Sequence, residues 1–418
     1  MRRLALVLAL LTALTAGAAP RRRAVRVPTN DWAYVLSSTD LTPDSADLTP
    51  LQSMIGNASM VALGEGTHGT HEFFTMKLRI IDFLARTMGF DVLGWEAPFP
   101  LVNRIDAYVQ GGPGDPRAML REMYALHYDF WAVEEMLAVV EWMREYNAHR
   151  GERPAIHVAG ADVSEPAAAA RGVVEYLRIV DPPKAVLVED QYVCIEGSLQ
   201  ISDGCEVVAK RIRDELASRE AELTATSSAT AFHEALHHAT VVVQSRWIHG
   251  PNREVALAEN ALWLREHRSA ARKIILWAHN EHVSRSDSVW ASEKPMGEAI
   301  ADVIGNDYFA ISTHTRSGSF LNWSVHPITG ASTVLTRSFP PLASDSVERF
   351  IQQRGAPLLL IPLRGDVPEW LSLPSRYNTS GTTGGTSLVG SLPAKFDAAI
   401  YIDETTASHP LTSAPTPE

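Results

Sequence analysis

At 418 residues, with 45% hydrophobic and 21% charged side chains, the chain can bury a large core and is not a disordered polyelectrolyte. Its formal net charge of −12 excludes a protein built to hold phosphate backbones or anionic lipid surfaces, so neither nucleic acid nor a charged membrane is an expected partner.

Residues 1–19 read as a secretory signal peptide: Arg2 and Arg3 precede an apolar stretch from Leu4 to about Leu14, followed by the small residues Thr15 to Ala19. Cleavage near Ala18 or Ala19 predicts an exported protein, periplasmic or extracellular. The apolar stretch is too short to span a bilayer and no later one approaches the roughly 20 apolar residues a membrane helix needs, so no membrane insertion is expected. Residues 20–418 then read as a single α/β domain. Short apolar runs at Met60–Gly64, Asp91–Trp95, Ala155–Gly160, Lys273–Ala278, Tyr308–Thr313, Pro357–Pro362 and Ala398–Ile402 alternate with helical periodicity at Glu72–Met88, Trp131–His149, Ala167–Ile179, Cys205–Leu223 and Ala229–Ile248. This alternation predicts a largely parallel sheet covered by helices. A mostly helical block at about 164–268 reads as an insertion that caps a cleft at the C-terminal ends of the strands. Cys194 and Cys205, the only cysteines, flank a loop-like stretch, and in an exported protein a disulfide between them is the favoured reading. Thr379–Ser391 reads as a mobile surface loop and Ser408–Glu418 as a frayed tail.

Three apolar runs end in ionisable groups. The first breaks into a Gly-punctuated loop with Glu65 and His68, the second ends at Glu96, and the third ends at His279 and His282. In open α/β proteins ligands bind at that strand edge. Singly, each residue is as readily structural, since a Glu at a strand end caps helices and a lone His is commonly packed. Their convergence is what points to chemistry. His68 is the best candidate general base, because imidazole titrates near neutrality and a carboxylate can fix its tautomer; Glu65 and Glu96 are the natural partners. Lys77, nine residues further along the following helix, could face the same cleft as a cation. No Gly-X-Ser-X-Gly elbow occurs and neither cysteine has a catalytic setting, so direct activation of water fits better than a covalent serine or cysteine route.

Two other readings compete. His233-Glu-Ala-Leu-His237 matches H-E-x-x-H on a predicted helix, with Glu234 as base and Glu259 near where a third zinc ligand would fall. The pattern also arises on an ordinary amphipathic stripe, with Phe232 and Leu236 inward. Alternatively the strand-end cluster could itself hold a divalent metal, or the chain could be an exported haem- or metal-binding protein without turnover.

Taken together, Leu63-Gly-Glu-Gly-Thr-His68 with Glu72-Phe-Phe74, Gly89-Phe90 leading to Trp95-Glu96, Trp142-Met-Arg-Glu-Tyr-Asn147, Gly160-Ala-Asp162, Trp277-Ala-His-Asn-Glu-His282, Pro295-Met-Gly297 and Ile304-Gly-Asn-Asp-Tyr308 resemble the erythromycin esterase family. Order and spacing hold from about residue 50 to about 405. The resemblance implies an α/β core with helices enclosing a cleft, and a hydrolase of cyclic or linear esters whose best-known members open macrolide lactones, conferring resistance, without metal, cofactor or covalent intermediate. It implies that His68 activates water, with acids at Glu65 and Glu96 and histidines at His279 and His282 around it, Asp162 lying nearby. Lys77 stands where some members carry arginine; it keeps the charge but loses the two-pronged donor. The expected division of labour has Glu65 and Glu96 orienting His68, and Lys77 with His279 or His282 stabilising the oxyanion of a small-molecule ester or lactone. Substrate choice would lie in the helical block, where no residue-by-residue match is made.

Overall fold

The computed structural model describes residues 29–30, 32–123, 129–195, 200–248, 250, 252–286, 294–325, 332–379 and 386–411. The expected signal peptide lies outside them. Twelve strands are present among the described residues: β1 Thr29–Asn30, β2 Ala33–Val35, β3 Met60–Leu63, β4 Val92–Pro98, β5 His157–Asp162, β6 Ile274–Trp277, β7 Tyr308–Val325, β8 Ser332–Ser338, β9 Leu358–Pro362, β10 Ser375–Thr379, β11 Thr386–Gly390 and β12 Ala398–Thr405. The main sheet runs β1-β2-β9-β12-β7-β3-β6-β4-β5, with β8 paired to the far half of β7. From β12 to β5 every neighbour is parallel, whereas β9, β2 and β1 continue the edge antiparallel. The expected α/β fold with a mostly parallel sheet is therefore present.

Strand periodicity divides the core. Met60 and Ala62 of β3 and Ile274 and Leu276 of β6 face one apolar layer, while Val61, Leu63, Ile275 and Trp277 face the other. Both faces of the central strands are buried, which is why these strands read as unbroken apolar runs instead of alternating ones. One layer contains residues of the helices Pro166–Val180, Asp203–Ser218, Ala229–Gln244 and Arg253–His267. The other contains residues of the helices Thr49–Ile55, His71–Phe83 and Glu134–His149.

Several expectations are corrected. Cys205–Leu223, read as one helix, is two, Asp203–Ser218 and Glu220–Thr226; Arg219 between them is tied to Asp181 and Glu222. Thr379–Ser391 is not wholly loop: Thr386–Gly390 pairs antiparallel with Ser375–Thr379. The tail is anchored as far as it is described, since Leu411 is buried and its N–H donates to Ala132 O at 2.9 Å. The expected disulfide between Cys194 and Cys205 is present and joins a short 3-10 turn, Tyr192–Ile195, to the first turn of Asp203–Ser218.

The sheet order has a direct consequence. β3, β6, β4 and β5 are consecutive and parallel, so their C-terminal ends bring Glu65, His279, Glu96 and Asp162 to one edge from distant segments of the chain.

Candidate active site

The loop after β3 is pinned before it carries any chemistry. Gly64 donates to Ile311 O at 2.7 Å, Asn280 N–H donates to Glu65 O at 2.8 Å, and Leu321 N–H to Gly69 O at 2.8 Å. A side chain at position 64 would lie 2.8 Å from Val283 Cγ2 and 3.0 Å from Asn280 Cα, so glycine is what lets the two loops touch.

Within this frame Glu65 is fully buried and both carboxylate oxygens are engaged. Oε1 lies 2.5 Å from His68 Nδ1, while Oε2 accepts from Lys77 Nζ at 2.8 Å and from Trp277 Nε1 at 3.0 Å. A carboxylate oxygen at Nδ1 favours the His68 tautomer with the proton on Nδ1 and the lone pair on Nε2. The His68 ring lies parallel to Phe130 at 4.4 Å and next to Trp131 at 5.5 Å. Trp131 in turn donates to Glu96 O at 3.0 Å. His68 keeps 14% of its side chain accessible, so it is the member of this chain of contacts that can meet solvent.

Lys77 does not face the cleft as expected. It is fully buried, with Nζ over the Trp277 ring at 4.6 Å and donating to Ala278 O at 3.3 Å. Burial pushes its pKa down, against the pull of Glu65, to about 8. Its ammonium is taken up by Glu65 and the Ala278 carbonyl. His279 is likewise enclosed: Nε2 lies 3.1 Å from Gly66 O, Nδ1 accepts from Glu281 N–H at 3.3 Å, and its own N–H donates to Glu96 at 3.0 Å. Burial and the neighbouring histidines depress its pKa to about 3, so the ring is neutral and both nitrogens are spent in joining two loops.

His282 is the opposite case. Nε2 lies 3.1 Å from Glu96 Oε1 and Nδ1 lies 2.7 Å from Glu254 Oε1. Burial opposes its charge, but the two carboxylates outweigh burial and raise its pKa to about 10. The two flanking carboxylates favour the imidazolium. Glu96 is ionised despite burial, because His282, His68 and Arg253 together hold its carboxyl well below the usual range. The side chain leaves β4 where the register with β5 shifts between Trp95 and Pro98, an irregularity of the kind that re-aims a side chain at a sheet edge. Opposite it, Gly160 accommodates the bulged chain: any Cβ there would sit 2.6 Å from Phe99 N.

The residues that sequence reasoning missed come from the helical block and from the segment before the helix Glu134–His149. Arg253, first residue of the helix Arg253–His267, reaches Asp162 at 2.7 Å and Glu96 at 3.4 Å and keeps 21% of its side chain accessible. Its Nη1 is 3.5 Å from His282 Nε2, but with His282 protonated both are donors and this is a contact between cations held by shared acids. Asp162 accepts from Val163 N–H at 2.7 Å and binds Arg253. One signal could have exposed Arg253: a cation at a helix N-terminus opposes the helix dipole and needs an external reason to be there.

The H-E-x-x-H reading is overturned. On the helix Ala229–Gln244, His237 is buried and stacked face to face on Trp263 at 3.8 Å, while Glu234 binds Asn103 at 3.1 Å and Glu259 binds Gln244 at 3.1 Å. Among the described residues, these side chains do not form a group of three with ligand atoms close enough to share an ion, and neither do Glu65, His68, Glu96, His279 and His282.

Comparisons with known proteins place the chain in a family and a fold. The erythromycin esterase family model matches residues 85–405. The chain is 23% identical to erythromycin esterase type II of Escherichia coli over 310 residues, covering 65% of this chain and 72% of the relative. A crystal structure of a Bacillus cereus protein is similar with a TM-score of 0.79 and 25% identity, covering 91% of this chain and 96% of that one. A mutant of erythromycin esterase EreC in an open conformation shares the fold, with a TM-score of 0.70 at 18% identity over 88% of this chain and 96% of that one.

Proposed function

This chain belongs to the erythromycin esterase family and is a hydrolase of that family, and from that premise we propose that it cleaves a carboxylic ester or lactone with water activated by His68. The observation that carries the reading is the buried Glu65 carboxylate, anchored on one oxygen by Lys77 and Trp277 and on the other by His68 Nδ1. An ionised carboxylate behind an imidazole holds one tautomer and stabilises the imidazolium that forms, the same physical role an aspartate plays behind the histidine of a serine hydrolase.

In this mechanism Nε2 of His68 takes a proton from water as its oxygen adds to the carbonyl carbon. The oxyanion of the tetrahedral intermediate develops beside two fixed positive charges, Arg253 and the His282 imidazolium, each held by Glu96. Collapse breaks the acyl C–O bond, and the departing alkoxide takes the proton back from His68. A general base supplies roughly 10²–10⁴-fold in rate, and losing one oxyanion donor costs about 10²–10³-fold, so neither part suffices alone. No cofactor is required by this scheme. Lys77 and His279 are positioning residues: the first holds Glu65, the second holds the loop around Gly66.

The test is hydrolysis of macrolides and simple esters by wild type and by His68→Ala, with folding checked by circular dichroism. Turnover lost in a folded His68→Ala protein is the expected result, and retention of most activity refutes the assignment. Export through residues 1–19 belongs to the same proposal: the mature protein should begin near residue 19 or 20 and act on substrate outside the cytoplasm. Protection of a macrolide-sensitive host that expresses the chain would identify a macrolide lactone as substrate.

A further inference from the structure

A second cluster lies outside the water-activating site, where the C-terminal segment crosses the ends of two helices. His71 is the first residue of the helix His71–Phe83, Glu135 lies in the first turn of Glu134–His149, and His409 belongs to the C-terminal segment. His71 Nδ1 is 2.6 Å from Glu135 Oε1, and His409 Nδ1 is 2.7 Å from the same oxygen. The three ligand atoms lie within 4.8 Å of one another. The rings stand edge to face with centroids 5.2 Å apart, so both nitrogens converge without the rings clashing. Glu135 is buried, whereas 30% of the His71 side chain and 65% of His409 remain accessible, giving an ion a route in from solvent. Among the described residues, the ion partners of Glu135 are these two imidazoles alone.

We propose that His71, Glu135 and His409 form a divalent-metal site with a preference for zinc, completed by water, which fastens the C-terminal segment over the loop that carries His68. Two imidazoles and one carboxylate are a donor set that suits zinc and leaves one tetrahedral position open. Bonds of about 2.0–2.1 Å put neighbouring donor atoms roughly 3.3 Å apart, so the nitrogens need to retreat from the carboxylate by only ~0.7 Å. The exposed His409 can make that movement. The carboxylate is already oriented, because His409 N–H donates to both of its oxygens at 3.2 and 3.1 Å, and such outer contacts hold a ligand in place for its metal.

The same segment makes contacts that give the site a mechanical consequence. Ser408 N–H donates to Gly69 O at 2.9 Å, His71 N–H to Thr406 O at 2.9 Å, Glu134 N–H to His409 O at 2.8 Å and Leu411 N–H to Ala132 O at 2.9 Å. Gly69 follows His68 directly, and Ala132 follows the Phe130–Trp131 pair that lies against the His68 ring. A metal here would clamp both walls around His68 while touching none of the groups assigned to hydrolysis.

The experiment uses the full-length protein, stripped with chelator, desalted and titrated with zinc chloride, with bound zinc counted by elemental analysis and Tm read in parallel. One zinc per chain, a rise in Tm on loading, and at least ~10-fold weaker binding with loss of the Tm rise in His409→Ala are the expected results. His409→Asn, which keeps a polar side chain on the segment, serves if the alanine variant does not fold. His282→Gln should bind zinc as wild type does. Absence of stoichiometric zinc, unchanged binding in both His409 variants, or binding abolished by His282→Gln would each overturn the proposal, the last by placing the ion in the other cluster.

Discussion

An ammonium sealed from water against one carboxylate oxygen, as Lys77 is, can act only through its partner. Its pKa is lowered by burial to about 8. As pH rises through about 8, Lys77 loses its charge, Glu65 loses its counter-ion and the His68 anchor weakens, so kcat/KM should show an alkaline limb there. Lys77→Arg stays protonated over that range and should remove the limb or move it upward in a pH profile. At Arg253, substitution by Gln should lower kcat/KM by about 10²–10³-fold if the guanidinium faces the developing oxyanion. Arg253→Lys should recover part of that loss, because a lysine cannot hold Asp162 with two nitrogens and still reach Glu96. The acids and imidazoles were legible in the sequence because each follows a short apolar run, and parallel strands end together. Depth was not legible. The helix carrying Lys77 is buried at nearly every position from Phe73 to Phe83, so helical spacing could not separate a cleft-facing lysine from an interior one. Arg253 was missed for another reason: its partners Glu96 and Asp162 lie 157 and 91 residues away, and only the packing of the helical block brings them together.

Elements reached by local pattern were read well in kind and less well at their ends. The run at Tyr308–Thr313 belongs to an 18-residue strand, Tyr308–Val325; its second half pairs with β8, a contact between segments that no short apolar run marked. Phe99–Val109 was not singled out as a helix, although Pro at its second position is a favourable start. The disulfide between Cys194 and Cys205 closes a loop with a sequence separation of 11 inside the helical block. A loop of that size should contribute about 2–3 kcal/mol by restricting the unfolded chain. Replacing both cysteines with serine should therefore lower the denaturant midpoint, reduction of wild type should reproduce the shift, and kcat/KM should stay unchanged, because the bridge lies away from the strand ends.

Across the whole molecule, the buried histidines set how stability responds to pH. His282 titrates at about 10 in the fold and near 6.5 when unfolded. Its contribution is therefore fully present below about pH 6.5 and is lost as pH rises through about 10. His279 has the reverse sign: depressed to about 3 in the fold, it makes stability fall as pH drops below about 6.5, where the unfolded imidazole takes up its proton. Urea midpoints measured across this range should trace a dome, and His282→Gln should flatten its alkaline side. These charges, like the sheet order that assembles them, surround His68, whose proposed role is to take a proton from water through Nε2. The most direct test is mass spectrometry of an ester and macrolide panel incubated with wild type and with folded His68→Ala. Wild type should convert lactones to products heavier by one water and linear esters to their acid and alcohol, with neither above background for His68→Ala; equal hydrolysis by the two proteins would refute water activation by His68.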